Sequence, residues 1–119
     1  MRHHKIFMPL ACAGLVISFF CAAPSAASAK TYMTGQELRT MCSSKFNTDY
    51  GMCAGFVTGI ADVLLQQKVD GIKACHMTTV KTQQLMTLVT KYIDKHPEML
   101  SEPARYAVAK ALENSFFCE

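Results

Sequence analysis

The sequence predicts an all-α fold: a compact four-helix domain stapled by two disulfides and preceded by a cleaved signal peptide. Apolar residues recur at helical spacing in several segments, which are separated by capping residues or prolines. No segment has the alternating pattern of a convincing strand. The chain contains 6 cysteines, four of them beyond the signal peptide, and an even number in a short exported chain is typical of a disulfide framework.

The start of the chain has the organisation of a secretory signal peptide. Arg2 and Lys5 make it positive, an apolar run covers residues 6–22, and an A-x-A cleavage site ends at Ala29. We therefore expect the leader, residues 1–29, to be removed and the rest, residues 30–119, to form one small periplasmic domain. Export exposes this domain to oxidising conditions, in which cysteines pair.

The charge of the chain excludes some classes of partner. Lysine and arginine number 12 and aspartate and glutamate 9, but Arg2 and Lys5 leave with the leader, which removes two of the three excess positive charges. Nucleic-acid binding needs basic residues clustered on one face, and we expect none. No second apolar run is long enough to span a bilayer, so we expect no membrane contact after cleavage.

The first two predicted helices follow the leader closely. Thr34 and Glu37 have the spacing of a capping box, which predicts a helix over residues 35–43. A polar link follows and supplies three good N-cap residues for a second helix over residues 50–68: Asn47, Thr48 and Asp49. Apolar residues at i, i+4, i+7 and i+8 predict the inner face of this second helix: Phe56, Ile60, Val63 and Leu64.

A stripe of three glycines runs along another face of the second helix: Gly51, Gly55 and Gly59. A glycine inside a helix costs about 1 kcal/mol relative to alanine. Three on one line therefore predict helix packing, with a neighbouring backbone close by, and the alternative is a ligand groove. Asp62 follows the stripe in an apolar segment, and we expect it to bridge to a neighbouring helix or to cap one through a hydrogen bond.

The third and fourth helices form an expected antiparallel pair. The third covers residues 80–95 after a cap at Thr78 or Thr79, and it has the clearest apolar stripe of the chain: Leu85, Leu88, Val89, Tyr92 and Ile93. Pro97 ends it, because the residue before a proline avoids the helical region. Ser101 is the expected cap of the fourth helix, whose inner line consists of Val108, Ala111, Leu112 and Ser115 or Phe116.

The positions of the cysteines along these helices favour one of the three pairings. Cys42 ends the first helix and Cys53 lies near the start of the second, at the same end of the bundle. Cys75 lies just before the third helix and Cys118 just after the fourth, and antiparallel helices of similar length bring these positions together. We therefore predict the disulfides Cys42–Cys53 and Cys75–Cys118.

The residues offer no catalytic or metal site. A zinc site needs about four closely spaced ligands, and here only His76 and His96 accompany cysteines that are expected to be bonded. The neighbours Cys75 and His76 rarely face each other as a nucleophile and its base. Asp62 has no second carboxylate at a useful spacing for acid–base chemistry. We expect no catalytic residue, no metal and no cofactor.

Three stretches together carry a family resemblance: residues 53–62 (CAGFVTGIAD), Gln84-Leu85 followed by residues 92–98 (YIDKHPE), and residues 116–118 (FFC). The chain resembles the Rap/Tai-type immunity proteins of type VI secretion systems over nearly all of the expected mature part. Proteins of that family are small periplasmic helical proteins that bind and block peptidoglycan-cleaving amidase effectors. The resemblance implies the same activity here and a secreted peptidoglycan amidase effector as the partner.

Such an inhibitor occludes the active site with a rigid loop. Two segments qualify, residues 96–102 and residues 70–79, and we favour the first. Its expected partner-binding residues offer two carboxylates, an imidazole and two exposed apolar anchors: His96, Glu98, Met99, Leu100 and Glu102. The alternative is a solvated turn with Leu100 buried. Because such proteins often dimerise, a homodimer is also expected, with the glycine stripe as one surface for it.

Two alternative functions remain open at this point. The first is a small periplasmic acid-stress chaperone, which unfolds or dissociates at low pH and exposes apolar surface. Two disulfides argue against this alternative because they restrain unfolding. The second is an enzyme, which a free cysteine thiol in the mature protein would favour.

Overall fold

The structure, a computed structural model, describes residues 30–119, and the expected signal peptide lies outside the described residues. Four helices follow one another: α1 (Gly35–Cys42), α2 (Asn47–Gln66), α3 (Thr82–Lys95) and α4 (Ala104–Ser115), with a 3-10 helix, Pro97–Leu100, between the last two. Residues 30–119 contain no strand, only two isolated bridges. The prediction of an all-α, four-helix domain is confirmed.

The helices enclose a core that is apolar throughout the described domain. The helix α3 lies against both α2 and α4, and α1 contacts the other three helices. All four helices contribute fully buried side chains to the centre: Leu38, Val57, Leu64, Val89, Ile93, Val108 and Leu112. Burying a side chain of this size stabilises the fold by about 1.5–3 kcal/mol.

The capping box at the start of α1 is present as predicted. The backbone N–H of Thr34 donates to the Glu37 carboxylate at 2.7 Å, and the N–H of Glu37 donates to the Thr34 hydroxyl at 3.3 Å. The Thr34 hydroxyl in turn donates to the Glu37 carboxylate at 2.9 Å. The two bonds that this carboxylate accepts, first from the backbone and then from the hydroxyl of Thr34, hold the pKa of Glu37 below its ordinary value.

The predicted caps of the other helices are wrong. The residue before α2 is Phe46, the residue before α3 is Lys81 and the residue before α4 is Pro103, and none of them caps through its side chain. The cap candidates lie inside α2 or outside the helix starts: Asn47, Thr48, Asp49, Thr78, Thr79 and Ser101. For α4 the cause is visible, because Pro103 pairs in an extended conformation with Thr34 and delays the helix to Ala104.

The buried face of α2 is rotated relative to the predicted one. Buried residues recur at i, i+4, i+8 and i+11: Cys53, Val57, Ala61 and Leu64. Phe56 and Ile60 are only partly buried, and Val63 is 42% exposed. The disulfide explains the rotation, because Cys53 must face α1 to reach Cys42.

Both predicted disulfides are confirmed. Cys42 is bonded to Cys53, and Cys75 to Cys118. The first joins the end of α1 to the first turns of α2. The second joins the segment before α3 to the chain after α4, where the N–H of Cys75 also donates to the carbonyl of Phe116 at 2.8 Å. The two ends of the α3–α4 pair are therefore held together covalently.

Candidate partner-binding surfaces

The link between α3 and α4, residues 96–102, folds tightly against α1. The N–H of Met99 donates to the carbonyl of His96 at 2.9 Å, which closes the 3-10 turn. Met99 itself is buried, with 7% of its surface exposed. A Cβ atom at Gly35 would collide with the carbonyl oxygen of Met99, so α1 and the link approach to backbone contact. We call residues 96–102 the α3–α4 link.

The first described residues hold the far end of the α3–α4 link. The N–H of Gly35 donates to the carbonyl of Glu102 at 2.8 Å, and the N–H of Ala104 donates to the carbonyl of Met33 at 2.8 Å. Between these bonds Thr34 and Pro103 form an antiparallel bridge. Since both ends are tied by backbone hydrogen bonds, the link is a rigid projection.

The polar side chains of the α3–α4 link point outward. The His96 ring stacks on Tyr92 with 4.1 Å between ring centroids, and its Nδ1 lies 3.2 Å from a carboxylate oxygen of Glu98. Glu98 and Glu102 are exposed. The structure thus leaves one imidazole and two carboxylates accessible on this surface.

The expectation of exposed apolar anchors in the link is wrong for Met99 and only partly met for Leu100. Met99 is part of the core because Gly35 lets α1 close over it. Leu100 is partly buried and lines a small cleft of about 190 Å³. Arg39 and Asp94 line the same cleft and form an ion pair, with 2.5 Å between Nε of Arg39 and Oδ1 of Asp94. The accessible surface of the link is therefore mainly polar.

The second candidate segment, residues 70–79, is held to the domain by three buried apolar residues, while six of its ten residues are exposed. Asp70 and Gly71 form a turn with positive φ angles of 49° and 82°, and the Asp70 carboxylate pairs with Arg105 at 3.0 Å. Apolar residues of the segment are buried: Ile72, Ala74 and Met77. Burial alone therefore does not distinguish this segment from the α3–α4 link as a surface for a partner.

The glycine stripe of α2 faces outward. A Cβ atom added at Gly51, Gly55 or Gly59 would meet nothing within 4 Å among the described residues. The close approach of a neighbouring backbone, expected from the sequence, is absent within residues 30–119. The reason is the rotation of α2, which turns the stripe away from the other helices.

The expected role of Asp62 in helix packing is not met either. Its side chain is exposed and takes part in no hydrogen bond or ion pair within the described domain. Large apolar side chains are exposed on the same helix or just before it: Phe46, Tyr50, Met52 and Val63. The outer face of α2 is therefore largely uncharged and lacks an internal partner.

The described part of the chain has no evident catalytic centre. Cys42, Cys53, Cys75 and Cys118 are all bonded, so none of them is a thiol nucleophile, and residues 30–119 do not contain the free thiol that would favour an enzyme. No three histidine, cysteine, aspartate or glutamate side chains among these residues lie together as metal ligands would. Nor does any described helix have the length and apolar character needed to cross a membrane.

The described residues form a small all-α domain that is cross-linked by two disulfides. Comparison with known families identifies the family of this domain. Residues 34–118 match the family described as Rap1a immunity proteins, and the chain belongs to this family. No curated protein and no solved structure matches significantly. Membership supports an immunity-protein role and implies binding to a cognate effector.

Proposed function

We propose that this chain is a periplasmic immunity protein that binds a peptidoglycan amidase effector of a type VI secretion system and occludes its active site. The observation that carries the proposal is the family match over residues 34–118. The two disulfides agree with an oxidising compartment such as the periplasm. The protein acts as a binding partner without catalysis of its own.

The α3–α4 link is the proposed contact to the effector. Its backbone is held by the hydrogen bond from Gly35 to Glu102, by the adjoining bond from Ala104 to Met33 and by the burial of Met99. A segment that is already ordered loses little conformational entropy on docking, which favours tight binding. Glu98 and Glu102 offer carboxylates to cationic groups at the mouth of the effector's cleft, and His96 offers a further polar contact.

The structure of the domain disfavours the alternative of an acid-stress chaperone. That activity requires apolar surface to be released at low pH. The core of the described domain contains no buried polar or charged residue whose protonation would disrupt it. Both ends of the bundle are also held by disulfides, which restrain partial unfolding.

The proposal is tested with any peptidoglycan amidase that is encoded next to the gene for this chain. We expect the mature protein to bind the purified amidase at neutral pH and to stop its hydrolysis of peptidoglycan at a one-to-one ratio. The double variant Glu98→Ala/Glu102→Ala should bind at least about tenfold more weakly, equivalent to about 1.4 kcal/mol. Glu119→Ala, which removes an exposed acid at the end of the chain, is the matched control.

Two outcomes would contradict the proposal. Full amidase activity in the presence of excess protein would rule out the immunity role. Undiminished affinity of the double variant would leave the immunity role standing and exclude the α3–α4 link as the main contact.

A further inference from the structure

A cleft of about 300 Å³ lies where α2, α3 and the segment before α3 meet. The helix α2 contributes Thr58, Ala61, Asp62 and Leu65, and the opposite wall consists of Met77, Thr78, Val80, Thr82 and Leu85. We call it the Asp62 cleft. Its walls are fixed, because Ala61, Met77 and Leu85 are buried in the core and the N–H of Val80 donates to the carbonyl of Met77 at 3.1 Å.

The Asp62 cleft has a mixed lining, in which five apolar side chains stand beside the Asp62 carboxylate and the hydroxyls of Thr58, Thr78 and Thr82. Asp62 supplies its only charge. The Thr58 hydroxyl already donates to the carbonyl of Ala54 at 2.7 Å, so its remaining capacity in the cleft is as an acceptor. Such a lining suits a ligand with an apolar stem and a cationic, donor-rich head. Arginine and lysine side chains have this form.

No lysine, arginine or histidine of residues 30–119 forms an ion pair with Asp62. The helix α2 has no lysine, arginine or histidine between Asn47 and Gln66. On the opposite wall, Lys81 lies between Val80 and Thr82 in the sequence. Its side chain lines a different groove on α3 together with Lys91. The three carboxylates of residues 30–119 that pair with lysine or arginine are those of Asp70, Asp94 and Glu113. A single carboxylate is also too little for a calcium ion, which takes about 6–8 oxygen ligands.

The surface next to the cleft admits the backbone of a partner. Gly59 lies three residues before Asp62 and therefore on the same side of α2. Nothing within 4 Å would meet a Cβ atom at Gly55 or Gly59 among the described residues. A partner chain can approach α2 closely there while one of its side chains enters the cleft.

We propose that the Asp62 cleft receives an arginine or lysine side chain from the surface of the effector, forming a second contact besides the α3–α4 link. This inference rests on the proposed function for the identity of the partner. The carboxylate of Asp62 accepts the charged hydrogen bonds of the head group, and the apolar walls enclose its methylene stem. Charge-assisted bonds of this kind are about twice as strong as neutral ones.

The cleft is tested first without any effector. The probe is N-acetyl-arginine methylamide, titrated into the isotope-labelled mature protein and followed by the amide signals in NMR. We expect saturable shifts at Thr78 and Thr82, with affinity at least tenfold lower in Asp62→Asn. Asp49→Asn is the matched control, because Asp49 is the other acid of α2 and lies outside the cleft. N-acetyl-norleucine methylamide should cause no such shifts.

The effector is then measured with the same variants. Asp62→Asn should weaken binding of the adjacent amidase at least tenfold, and Asp49→Asn should leave it unchanged. If the arginine probe fails to shift the cleft residues, the cleft proposal is overturned whether or not the amidase binds. If the amidase binds both variants equally well, the cleft is not an effector contact, although the immunity role survives. Absence of any amidase binding overturns the proposed function and leaves the probe result to decide the cleft chemistry.

Discussion

The helices α2 and α4 are both rich in small residues, yet they use them in opposite ways. In α4 the alanines are buried among the other helices: Ala104, Ala107, Ala109 and Ala111. In α2 the three glycines face outward with no described atom near their missing Cβ positions. Small side chains therefore allow close packing only where a neighbour is present. The glycines of α2 therefore reduce helix stability without a packing gain inside the described domain.

The largest expected effect concerns the disulfides that anchor these two helices. Replacing Cys75 and Cys118 by alanine releases the chain after α4 and opens a loop with a sequence separation of 43 residues. We expect the free energy of unfolding to fall by about 4 kcal/mol, and by about 3 kcal/mol for the 11-residue bridge between Cys42 and Cys53. Urea denaturation measures both. A larger loss for the shorter loop would contradict the entropic argument and indicate that packing around the buried Cys53 dominates.

The next effect tests the one described glycine that does meet a neighbour. Gly35→Ala places a methyl group onto the backbone carbonyl of Met99, and neither backbone can retreat without breaking the bond between Gly35 and Glu102. We expect a destabilisation of about 3 kcal/mol, seen as a fall in Tm of more than about 10 °C. A Tm within a few degrees of the parent would show that the α3–α4 link is not held against α1.

A third variant tests the crowding around α4. Ala107 is fully buried, so Ala107→Leu forces extra atoms into a filled core. We expect a loss of about 2 kcal/mol in denaturant unfolding. Asn114→Leu, at an exposed position of the same helix, serves as the control and should change stability by less than about 0.5 kcal/mol. Equal effects of the two leucines would show that α4 is not packed on the side we describe.

The converse variant tests the open face of α2. Gly55→Ala removes backbone freedom from the unfolded chain and meets no atom in the folded one, so we expect it to stabilise the domain by about 0.5–1 kcal/mol. Gly71→Ala is the informative control. A Cβ atom at Gly71 also meets no described atom, but Gly71 has a φ of 82°. An L-residue is strained at that angle, so Gly71→Ala should be less stable than the parent protein. Loss of stability in Gly55→Ala would point to a neighbour that the monomeric domain lacks.

The smallest expected effect concerns the capping box of α1, which Thr34 and Glu37 form. Thr34 also pairs with Pro103, the residue before α4. The pKa of Glu37 is lowered by its hydrogen bonds to Thr34, so the folded state binds its proton less readily than the unfolded state. Its contribution is present above the unfolded pKa and is lost as the pH falls through the folded one. Glu37→Gln should therefore lower Tm slightly at pH 7 and hardly at all near pH 3. In a Thr34→Ala background the hydroxyl bond is lost while the backbone N–H of residue 34 still donates to the carboxylate, so this pH dependence should shrink without disappearing. An undiminished pH dependence would assign it to another group.

The sequence predicted the number of helices, their order and both disulfides, because these follow from periodicity, proline positions and chain geometry. It also predicted the capping box of α1, which depends only on residues close in sequence. The rotation of α2 could not be read from its sequence. Ala61 and Ile60 both count as apolar positions in a periodic pattern. Only the bond from Cys53 to Cys42 decides which of the two faces turns inward.

The candidate surfaces were less predictable for a related reason. Met99 lies in a polar link and is therefore expected to be exposed, but it is buried. The cause is Gly35, more than sixty positions earlier in the chain, because any side chain there would collide with the backbone of Met99. No local pattern signals such a long-range backbone contact. Asp62 was recognised as unusual from its apolar surroundings, yet the cleft beside it depends on Met77 and Leu85 from other segments.

The backbone bonds of Met33 and Gly35 to Ala104 and Glu102 also have a consequence for biosynthesis. Met33 and Gly35 are synthesised long before Ala104 and Glu102, so these hydrogen bonds can form only when almost the whole polypeptide is available. A product truncated before Glu102 cannot complete this junction. Only molecules that extend to Ala104 can therefore close the start of the domain onto the α3–α4 link.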